Sequence, residues 1–144
     1  MNRYKLIIFD ADGTLTPLRG SPTNPFTFKT LPLVREKCAQ LRAQGVTLAI
    51  ASNQSAHRPV DDIVQQLTWT AKAIGIHDLD ILHLMWATGN TRKPSPYMLL
   101  ELAKHYNIPL NEILFVGDWK TDQQAASAAG IDFIWADEFF SLSQ

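Results

Sequence analysis

Short apolar runs and amphipathic segments alternate along the chain, and this alternation restricts the possible fold more than any other feature. The runs that resemble strands lie at 4–9, 46–51, 81–86, 113–116 and 131–135. The segments between them carry apolar residues at helical spacing, and three of these segments end at Gly45, Gly75 and Gly130. Continuous apolar strands joined through helices are typical of a parallel sheet covered on both faces. We therefore predict an α/β fold, a doubly wound, Rossmann-like parallel sheet of about five strands with helices on both faces.

Length and composition agree with a globular protein. The chain has 144 residues, 46% apolar and 19% charged, which is enough for one domain over 1–144 with its own core. The net charge of −1 gives no strong field for nucleic acid or membranes. A single cysteine, Cys38, cannot form an internal disulfide, and we expect it to pack in the core. With no secretion signal or long apolar span in the sequence, we predict a cytoplasmic location and no membrane partner.

Two carboxylates, Asp10 and Asp12, stand one residue apart directly after the first predicted strand. Side chains two residues apart in an extended chain point the same way, so both can converge on one small volume. Two negative charges this close are unfavourable unless a cation or a shared proton relieves them. The pair therefore indicates a catalytic arrangement in which one carboxylate is ionised and the other carries a proton. The alternative is an ordinary acidic turn.

The other predicted strands also end in polar side chains. These are Ser52, Asn53 and Gln54 after the second strand, Arg92 and Lys93 after the third, and Asp118 and Asp122 after the fourth. Ligands of doubly wound sheets bind outside the carboxyl ends of the strands, so we expect these residues to meet at one rim. Taken singly, Ser52 also fits a cap, Lys93 a solvated surface lysine, and the two acids a helix start.

Four motifs follow one another across nearly the whole chain: DADGTL from Asp10, ASNQ around Ser52, TRKPSP around Lys93 and GDWKTDQQAASAAG around Asp118. This set resembles the haloacid dehalogenase superfamily. The short sequences Ser-Asn-Gln and Arg-Lys-Pro are most similar to those of subclass III, the branch of histidinol-phosphate, heptose-bisphosphate and polynucleotide 3′-phosphatases. Many members of that branch carry a cysteine-rich zinc loop before Arg-Lys-Pro, but residues 84–91 contain no cysteine. The resemblance implies a single hydrolase domain without structural zinc.

The resemblance also implies a phosphatase mechanism built on Asp10. Asp10 would attack phosphorus and form an aspartyl-phosphate, while Lys93 would place positive charge on the phosphoryl group. Asp12 would protonate the leaving alkoxide and later deprotonate the attacking water. A magnesium ion is expected because the ligands are hard oxygens. Asp10, Asp118 and the main-chain carbonyl of Asp12 would bind it, and Asp122 would orient a metal-bound water or Lys93.

The substrate contacts that the resemblance implies are less specific. Ser52 and the backbone after it would donate hydrogen bonds to the phosphoryl group. Asn53 and Gln54 would either shape the loop or contact the substrate. Four more candidates near the rim are His57, Arg58, Arg92 and Trp119. The three basic residues fit a distal anionic group and the indole fits a base or sugar ring, although all four also fit an ordinary exposed rim.

The spacing of the motifs leaves no room for a folded cap domain. About forty residues separate Asp12 from Ser52, and about forty separate Ser52 from Lys93, which one helix with its loops fills. An open rim suits a bulky substrate such as a nucleic-acid end, unless a neighbouring subunit of a homo-oligomer acts as the lid. A small phosphorylated metabolite is the other option, because histidinol- and heptose-phosphate phosphatases also lack a cap.

The sequence thus predicts a magnesium-dependent phosphomonoester phosphatase. The alternative from another class is a receiver-like module that is phosphorylated on aspartate and signals without turnover. Receivers share the doubly wound sheet and magnesium, but their acceptor follows the third strand and their acidic pair is adjacent. A degenerate binding domain is a further alternative, and the intact candidates for all four roles argue against it. A dehalogenase is another, but that activity needs neither a metal-binding acid of the Asp118 kind nor a second acid at Asp12.

Overall fold

A computed structural model of the chain shows a five-stranded parallel sheet. It describes residues 3–11, 14–15, 33–75, 84–87 and 89–141. The strands are β1 (Leu6–Phe9), β2 (Thr47–Asn53), β3 (Leu84–Ala87), β4 (Ile113–Gly117) and β5 (Asp132–Trp135). They lie in the order β3-β2-β1-β4-β5, and all four pairings are parallel. The predicted α/β doubly wound sheet is confirmed, and its strand boundaries shift by one to three residues.

In the described part of the chain, five α-helices connect or follow these strands. They are α1 (Val34–Ala43), α2 (Val60–Ala73), α3 (Tyr97–Tyr106), α4 (Lys120–Ala129) and α5 (Ala136–Ser141). The predicted glycine stops lie just beyond α2 and α4, where Gly75 and Gly130 adopt φ of 88° and 76°, a region that costs glycine little. At the start of α3 the N-cap is Pro96, and the hydroxyl of the preceding Ser95 accepts a hydrogen bond from the Tyr97 N–H at 3.2 Å.

The two faces of the sheet carry separate apolar cores. Along β1 the side chains of Ile7 and Phe9 pack with α1, α2 and α5, while Leu6 and Ile8 pack with α3 and α4. This alternation follows from the two-residue period of a strand, and burial on both faces explains why β1 is apolar throughout. Cys38 lies in the first core, as expected, and burial raises the pKa of its thiol to about 12. Among the helices that the structure describes, none has the length and apolar character needed to cross a bilayer.

Helix α5 was not predicted from the sequence. It has six residues, too few for an apolar period to be recognised, and it closes the first core. Phe139 is buried and meets the Phe9 ring edge-on at 5.9 Å between centroids. The Lys37 ammonium donates to the Phe139 carbonyl oxygen at 2.9 Å, which ties α1 to this carboxyl-terminal helix.

The strand order determines where the candidate residues lie, and it distinguishes between two types of α/β fold. The direction of winding changes at β1, which has β2 on one side and β4 on the other. The order 3-2-1-4-5 belongs to the Rossmann type, whereas the flavodoxin type that includes receivers has 2-1-3-4-5. The topology therefore argues against the receiver-like alternative. The predicted absence of a cap stays a prediction, because 16–32 and 76–83 lie outside the described residues.

Candidate active site

Asp10 stands at the carboxyl end of β1, in the middle of the sheet. Its backbone N–H donates to the Val116 carbonyl oxygen on β4 at 2.9 Å, so the strand pairing itself fixes the position of this residue. The residue is 8% exposed. Its Oδ1 accepts a hydrogen bond from the Lys93 ammonium at 2.7 Å.

Lys93 belongs to the segment that follows the edge strand β3, and its buried side chain reaches Asp10. Its Nζ lies 2.7 Å from both Asp10 Oδ1 and Asp122 Oδ1, and it donates to the Ala51 carbonyl oxygen at 2.9 Å. The residue is 4% exposed and its ammonium lies 5.2 Å from the centre of the Phe115 ring. Lys93 is therefore ion-paired in the interior and is not a solvated surface lysine.

Asn53, the last residue of β2, holds the backbone of Lys93. Its amide nitrogen donates to the Lys93 carbonyl oxygen at 3.0 Å, and its amide oxygen accepts the Lys93 N–H at 2.8 Å. This pair of bonds joins two segments that lie forty positions apart in the sequence. Asn53 was predicted either to shape the loop or to contact the substrate; it lines the cleft, and its two bonds hold the Lys93 backbone.

Asp122 connects the start of α4 to the same cluster. Its Oδ2 accepts hydrogen bonds from the N–H groups of Asp118 and Trp119, both at 3.1 Å, while Oδ1 faces Lys93. A Cβ at Gly117 would lie 2.5 Å from that Oδ2, so a glycine is needed where β4 ends. Of its two predicted roles, orienting Lys93 is the one that these contacts favour.

Asp118 and Asp10 approach each other at a hydroxyl group that the sequence analysis did not single out. Thr14 Oγ1 lies 3.4 Å from Asp10 Oδ2 and 3.4 Å from Asp118 Oδ1. Thr14 is buried and belongs to the DADGTL motif, which was the available signal. Asp10, Asp118, Asp122 and Lys93 form what we call the charged cluster.

Burial dominates the electrostatics of the charged cluster. It raises the pKa of the Asp10 carboxyl more than Lys93 lowers it, and the neighbouring Asp118 raises that pKa further. Burial and the negative charge of Asp10 likewise raise the pKa of Asp122. Burial alone would lower the pKa of Lys93, but Asp10 and Asp122 outweigh it and raise that pKa. The lysine therefore stays charged, while the carboxylates need more positive charge than it supplies.

A cleft of about 480 Å³ opens directly over the cluster. Its lining residues include Asp10, Ser52, Asn53, Arg92, Lys93, Trp119, Thr121 and Asp122. Trp119 is 55% exposed and stands at the mouth. The predicted candidates Arg92 and Trp119 thus border the same space as the charged cluster, and Thr121 joins them although no signal in the sequence pointed to it.

A second set of polar groups supports the Ser52 side of the cleft. The Gln54 amide nitrogen donates to Ser52 Oγ at 2.8 Å, and Arg58 Nη1 donates to Gln54 Oε1 at 2.7 Å and to Gln66 Oε1 at 2.5 Å. Arg58 Nη2 also lies 3.4 Å from the Asp62 carbonyl oxygen. Ser52, Gln54, Arg58 and Gln66 form what we call the amide network.

Three predicted residues lie away from the cleft or outside what the structure describes. Arg58 does not line the cleft, and its expected substrate contact stays a prediction. His57 is exposed, with its backbone N–H donating to Ser55 Oγ at 3.2 Å. Asp12 lies outside the described residues, so its role as general acid and base also stays a prediction.

Comparison with known proteins identifies the family. The sequence model of the haloacid dehalogenase-like hydrolases matches residues 27–130. The chain belongs to this family. A D-glycero-beta-D-manno-heptose-1,7-bisphosphate 7-phosphatase of Pseudomonas putida is 30% identical over 142 residues, which cover 88% of this chain and 78% of that protein. The predicted family and enzyme class, a phosphoric monoester hydrolase, are confirmed.

Solved structures of haloacid dehalogenase-like proteins share the fold. The D,D-heptose 1,7-bisphosphate phosphatase of B. bronchiseptica, solved with magnesium and phosphate, has a TM-score of 0.69 at 27% identity, covering 90% of this chain and 78% of that chain. A HAD-superfamily hydrolase of subfamily IA from Geobacter sulfurreducens has a TM-score of 0.66 at 21% identity, covering 91% and 86%. The second likeness shows the fold alone.

The charged cluster of this haloacid dehalogenase-family protein has the chemistry of a metal site. Asp10, Asp118 and Asp122 each offer a carboxylate oxygen, and these oxygens lie within 4.8 Å of one another. Hard, anionic oxygen ligands suit a hard divalent cation. Such an ion would also oppose the effect of burial and of the neighbouring Asp118, which together raise the pKa of Asp10. The residues present therefore fit a bound metal.

Proposed function

We propose that this protein is a magnesium-dependent phosphomonoester phosphatase that acts through an aspartyl-phosphate on Asp10. The observation that carries the proposal is the position of the Lys93 ammonium, 2.7 Å from Asp10 Oδ1 and 2.7 Å from Asp122 Oδ1 at the base of an open cleft. Three segments of chain supply these groups. A phosphoryl group that meets Asp10 would lie beside a buried cation, which is what stabilises negative charge during phosphoryl transfer.

Asp10 and Asp118 are the proposed carboxylate ligands of the metal, with the carbonyl of Asp12 as the third contact that the family resemblance implies. Asp10 Oδ2 and Asp118 Oδ1 both lie beside Thr14 Oγ1, so they are suited to sharing one ion. Bound magnesium would supply the positive charge that keeps Asp10 ionised and neutralises the phosphoryl oxygens. Asp122 is engaged by Lys93 and by two backbone N–H groups, so we assign it a positioning role in this site.

Each step of the proposed reaction is then carried out by residues of this chain. The Asp10 carboxylate attacks phosphorus, an oxygen–phosphorus bond forms, and the ester bond to the leaving alkoxide breaks. Asp12 gives the alkoxide its proton. Water next attacks the aspartyl-phosphate, Asp12 takes the proton of that water, and inorganic phosphate leaves with Asp10 restored. Lys93 and the Ser52 hydroxyl hold the phosphoryl oxygens through both steps.

The substrate that we propose is a phosphorylated small molecule, with a nucleic-acid end as the alternative. The heptose bisphosphate named for two relatives supports the first, and an open cleft with Trp119 and Arg92 at its edge leaves room for the second. The single domain over 1–144, the cytoplasmic location and a possible homo-oligomer stay predictions of the sequence.

The proposal is tested with Asp10→Asn, which keeps the size of the side chain and removes the nucleophile. We expect phosphate release from 4-nitrophenyl phosphate with Mg²⁺ to fall by at least about 10³-fold, because no other group replaces a lost nucleophile. The exposed Asp61→Asn is the matched control and should keep wild-type activity. Full activity in Asp10→Asn would contradict the proposal.

A second experiment addresses the substrate class. Phosphate release is compared for heptose bisphosphate, histidinol phosphate and a 3′-phosphorylated oligonucleotide at two salt concentrations. We expect the small substrates to be preferred and salt to matter little. A preference for the oligonucleotide that weakens with salt would instead favour the nucleic-acid alternative.

A further inference from the structure

We propose that Gln54 is a positioning residue that sets the direction of the Ser52 hydroxyl proton, and that Arg58 and Gln66 fix Gln54 for this task. The inference deepens the proposed function, on which it rests, since the hydroxyl is useful only if a phosphoryl oxygen enters the cleft. Four contacts carry the argument, and they run from the interior of α2 to the cleft.

The first step is the orientation of the Gln54 amide. A guanidinium group has donors and no acceptor, so the atom that faces Arg58 Nη1 at 2.7 Å must be the amide oxygen. The amide nitrogen then faces Ser52 Oγ at 2.8 Å. Gln54 is 5% exposed, which leaves little water to offer another arrangement.

The second step concerns Ser52. An amide nitrogen can only donate, so Ser52 Oγ is the acceptor of this bond, and its own proton must point elsewhere. The other partner given by the structure is the Asn53 carbonyl oxygen at 3.4 Å, longer than an ordinary O–H···O bond. Ser52 lines the cleft, so an anionic oxygen placed there is the better acceptor for that proton.

The third step explains the role of Arg58. Its Nη1 is shared between the amide oxygens of Gln54 and Gln66, and Gln66 is fully buried on α2. The half-buried guanidinium therefore holds two glutamines through a single nitrogen, Nη1. A donor held in place before the substrate arrives costs no reorganisation during the reaction, which is the source of its catalytic value.

The discriminating variant is Gln54→Glu. A carboxylate at this position keeps the bond accepted from Arg58 and loses the bond donated to Ser52. The Ser52 hydroxyl would then donate to the carboxylate and turn its proton away from the cleft. We expect kcat/KM for 4-nitrophenyl phosphate to fall about tenfold or more, with little change in the thermal midpoint. If Gln54 served only to hold Arg58, this variant would keep wild-type activity.

A double-mutant cycle shows whether the effect passes through Ser52. Ser52→Ala should lower kcat/KM on the order of 10²-fold, and adding Gln54→Glu to it should cost almost nothing further. Gln54→Met removes both the bond accepted from Arg58 and the bond donated to Ser52. It should lower activity when Ser52 is present and should have no further effect when combined with Ser52→Ala. The exposed neighbour Gln65→Glu is the control for the added charge. Equal losses with and without the hydroxyl would overturn the inference, as would wild-type activity in Ser52→Ala.

Binding of inorganic phosphate with Mg²⁺, measured by calorimetry, gives a readout that does not depend on turnover. Gln54→Glu and Ser52→Ala should both weaken this binding, and an unchanged affinity in Gln54→Glu would overturn the inference. The two proposals are separable. Loss of activity in Asp10→Asn together with wild-type behaviour in Gln54→Glu removes the inference and leaves the proposed function.

Discussion

The charged cluster and the amide network lie side by side at the carboxyl end of the sheet, and they are built differently. In the charged cluster, three carboxylates lie close together and two of them pair with one lysine, and burial raises the pKa of Asp10 and of Asp122. In the amide network, the positive charge of Arg58 is met by carbonyl dipoles of two glutamines. The first arrangement needs further positive charge before it can act. The second holds its geometry without a ligand.

This contrast assigns different tasks to the two regions. Unbalanced negative charge in the interior favours binding of a metal ion. It also means that removing one member of a buried ion pair in the charged cluster lowers the free energy of unfolding strongly. The hydrogen bonds that Arg58 donates to two neutral amide oxygens fix the direction of these groups and add no buried carboxylate charge. Variants in the charged cluster should therefore change chemistry, stability and metal affinity together, whereas variants in the amide network should change chemistry with a smaller effect on stability.

The largest effect is expected for Lys93→Met. It removes the cation that Asp10 and Asp122 share, so two buried carboxylates lose their partner. We expect kcat to fall on the order of 10³-fold. Urea unfolding of the metal-free protein should show a loss of about 3–5 kcal/mol, the usual cost of breaking a buried pair.

The matched control for Lys93→Met is Lys104→Met, an exposed lysine on α3, which should change neither quantity. If Lys93→Met lowered kcat without lowering stability, the two carboxylates would not depend on this lysine. The contrast between the charged cluster and the amide network would then fail.

A middle-sized effect is expected from the response to Mg²⁺ and pH. Burial raises the pKa of Asp10 and of Asp122 above the ordinary value of 3.8. Just above pH 3.8, these two carboxyl groups are therefore still protonated in the folded metal-free protein, whereas they are already ionised in the unfolded chain. The stability of the metal-free protein should therefore fall as pH rises from that value through the raised pKa values. Saturating Mg²⁺ should reverse the trend, adding about 2.7 kcal/mol at a hundredfold excess over Kd.

Asp118→Asn sharpens this test, since it removes one proposed ligand and leaves Lys93 paired. The thermal midpoint of this variant should no longer rise with Mg²⁺, whereas the exposed Asp137→Asn should respond like the wild type. An undiminished response in Asp118→Asn would place the ion elsewhere.

The smallest effect is expected for Asn53→Ala, at the boundary of the two regions. The clamp of two hydrogen bonds on the Lys93 backbone is lost, and with it about 1–2 kcal/mol of stability. We expect kcat to fall about tenfold, because the ammonium is less well placed. A rise in KM with kcat unchanged would instead show that Asn53 acts on the substrate, which is the other of its two predicted roles.

The sequence predicted the sheet well, because buried parallel strands are apolar throughout and their crossover helices have a clear period. Leu6–Phe9 and Ile113–Gly117 are examples of such strands. It missed α5, since six residues carry no recognisable period, and Phe139 could not be assigned to a core before the sheet was formed.

The candidate site was predictable where a residue type carries the chemistry itself. Asp10, Asp118 and Lys93 are of this kind, and the strand ends bring them together as topology requires. The contacts that hold them were not predictable. Asn53 bonds to Lys93, which lies forty positions away in the sequence. Gln54 bonds to Arg58, which in turn bonds to the buried Gln66 on α2. The sequence reveals neither the partners nor the orientation of an amide side chain.

The central claim is that phosphorus passes through a covalent bond to Asp10, and its stereochemical course tests this most directly. The measurement uses a phosphate monoester made chiral at phosphorus with oxygen isotopes, with transfer to an alcohol acceptor. Attack by Asp10 followed by attack of the acceptor inverts phosphorus twice, so the account predicts net retention of configuration. Net inversion would mean a single direct displacement and would contradict the account.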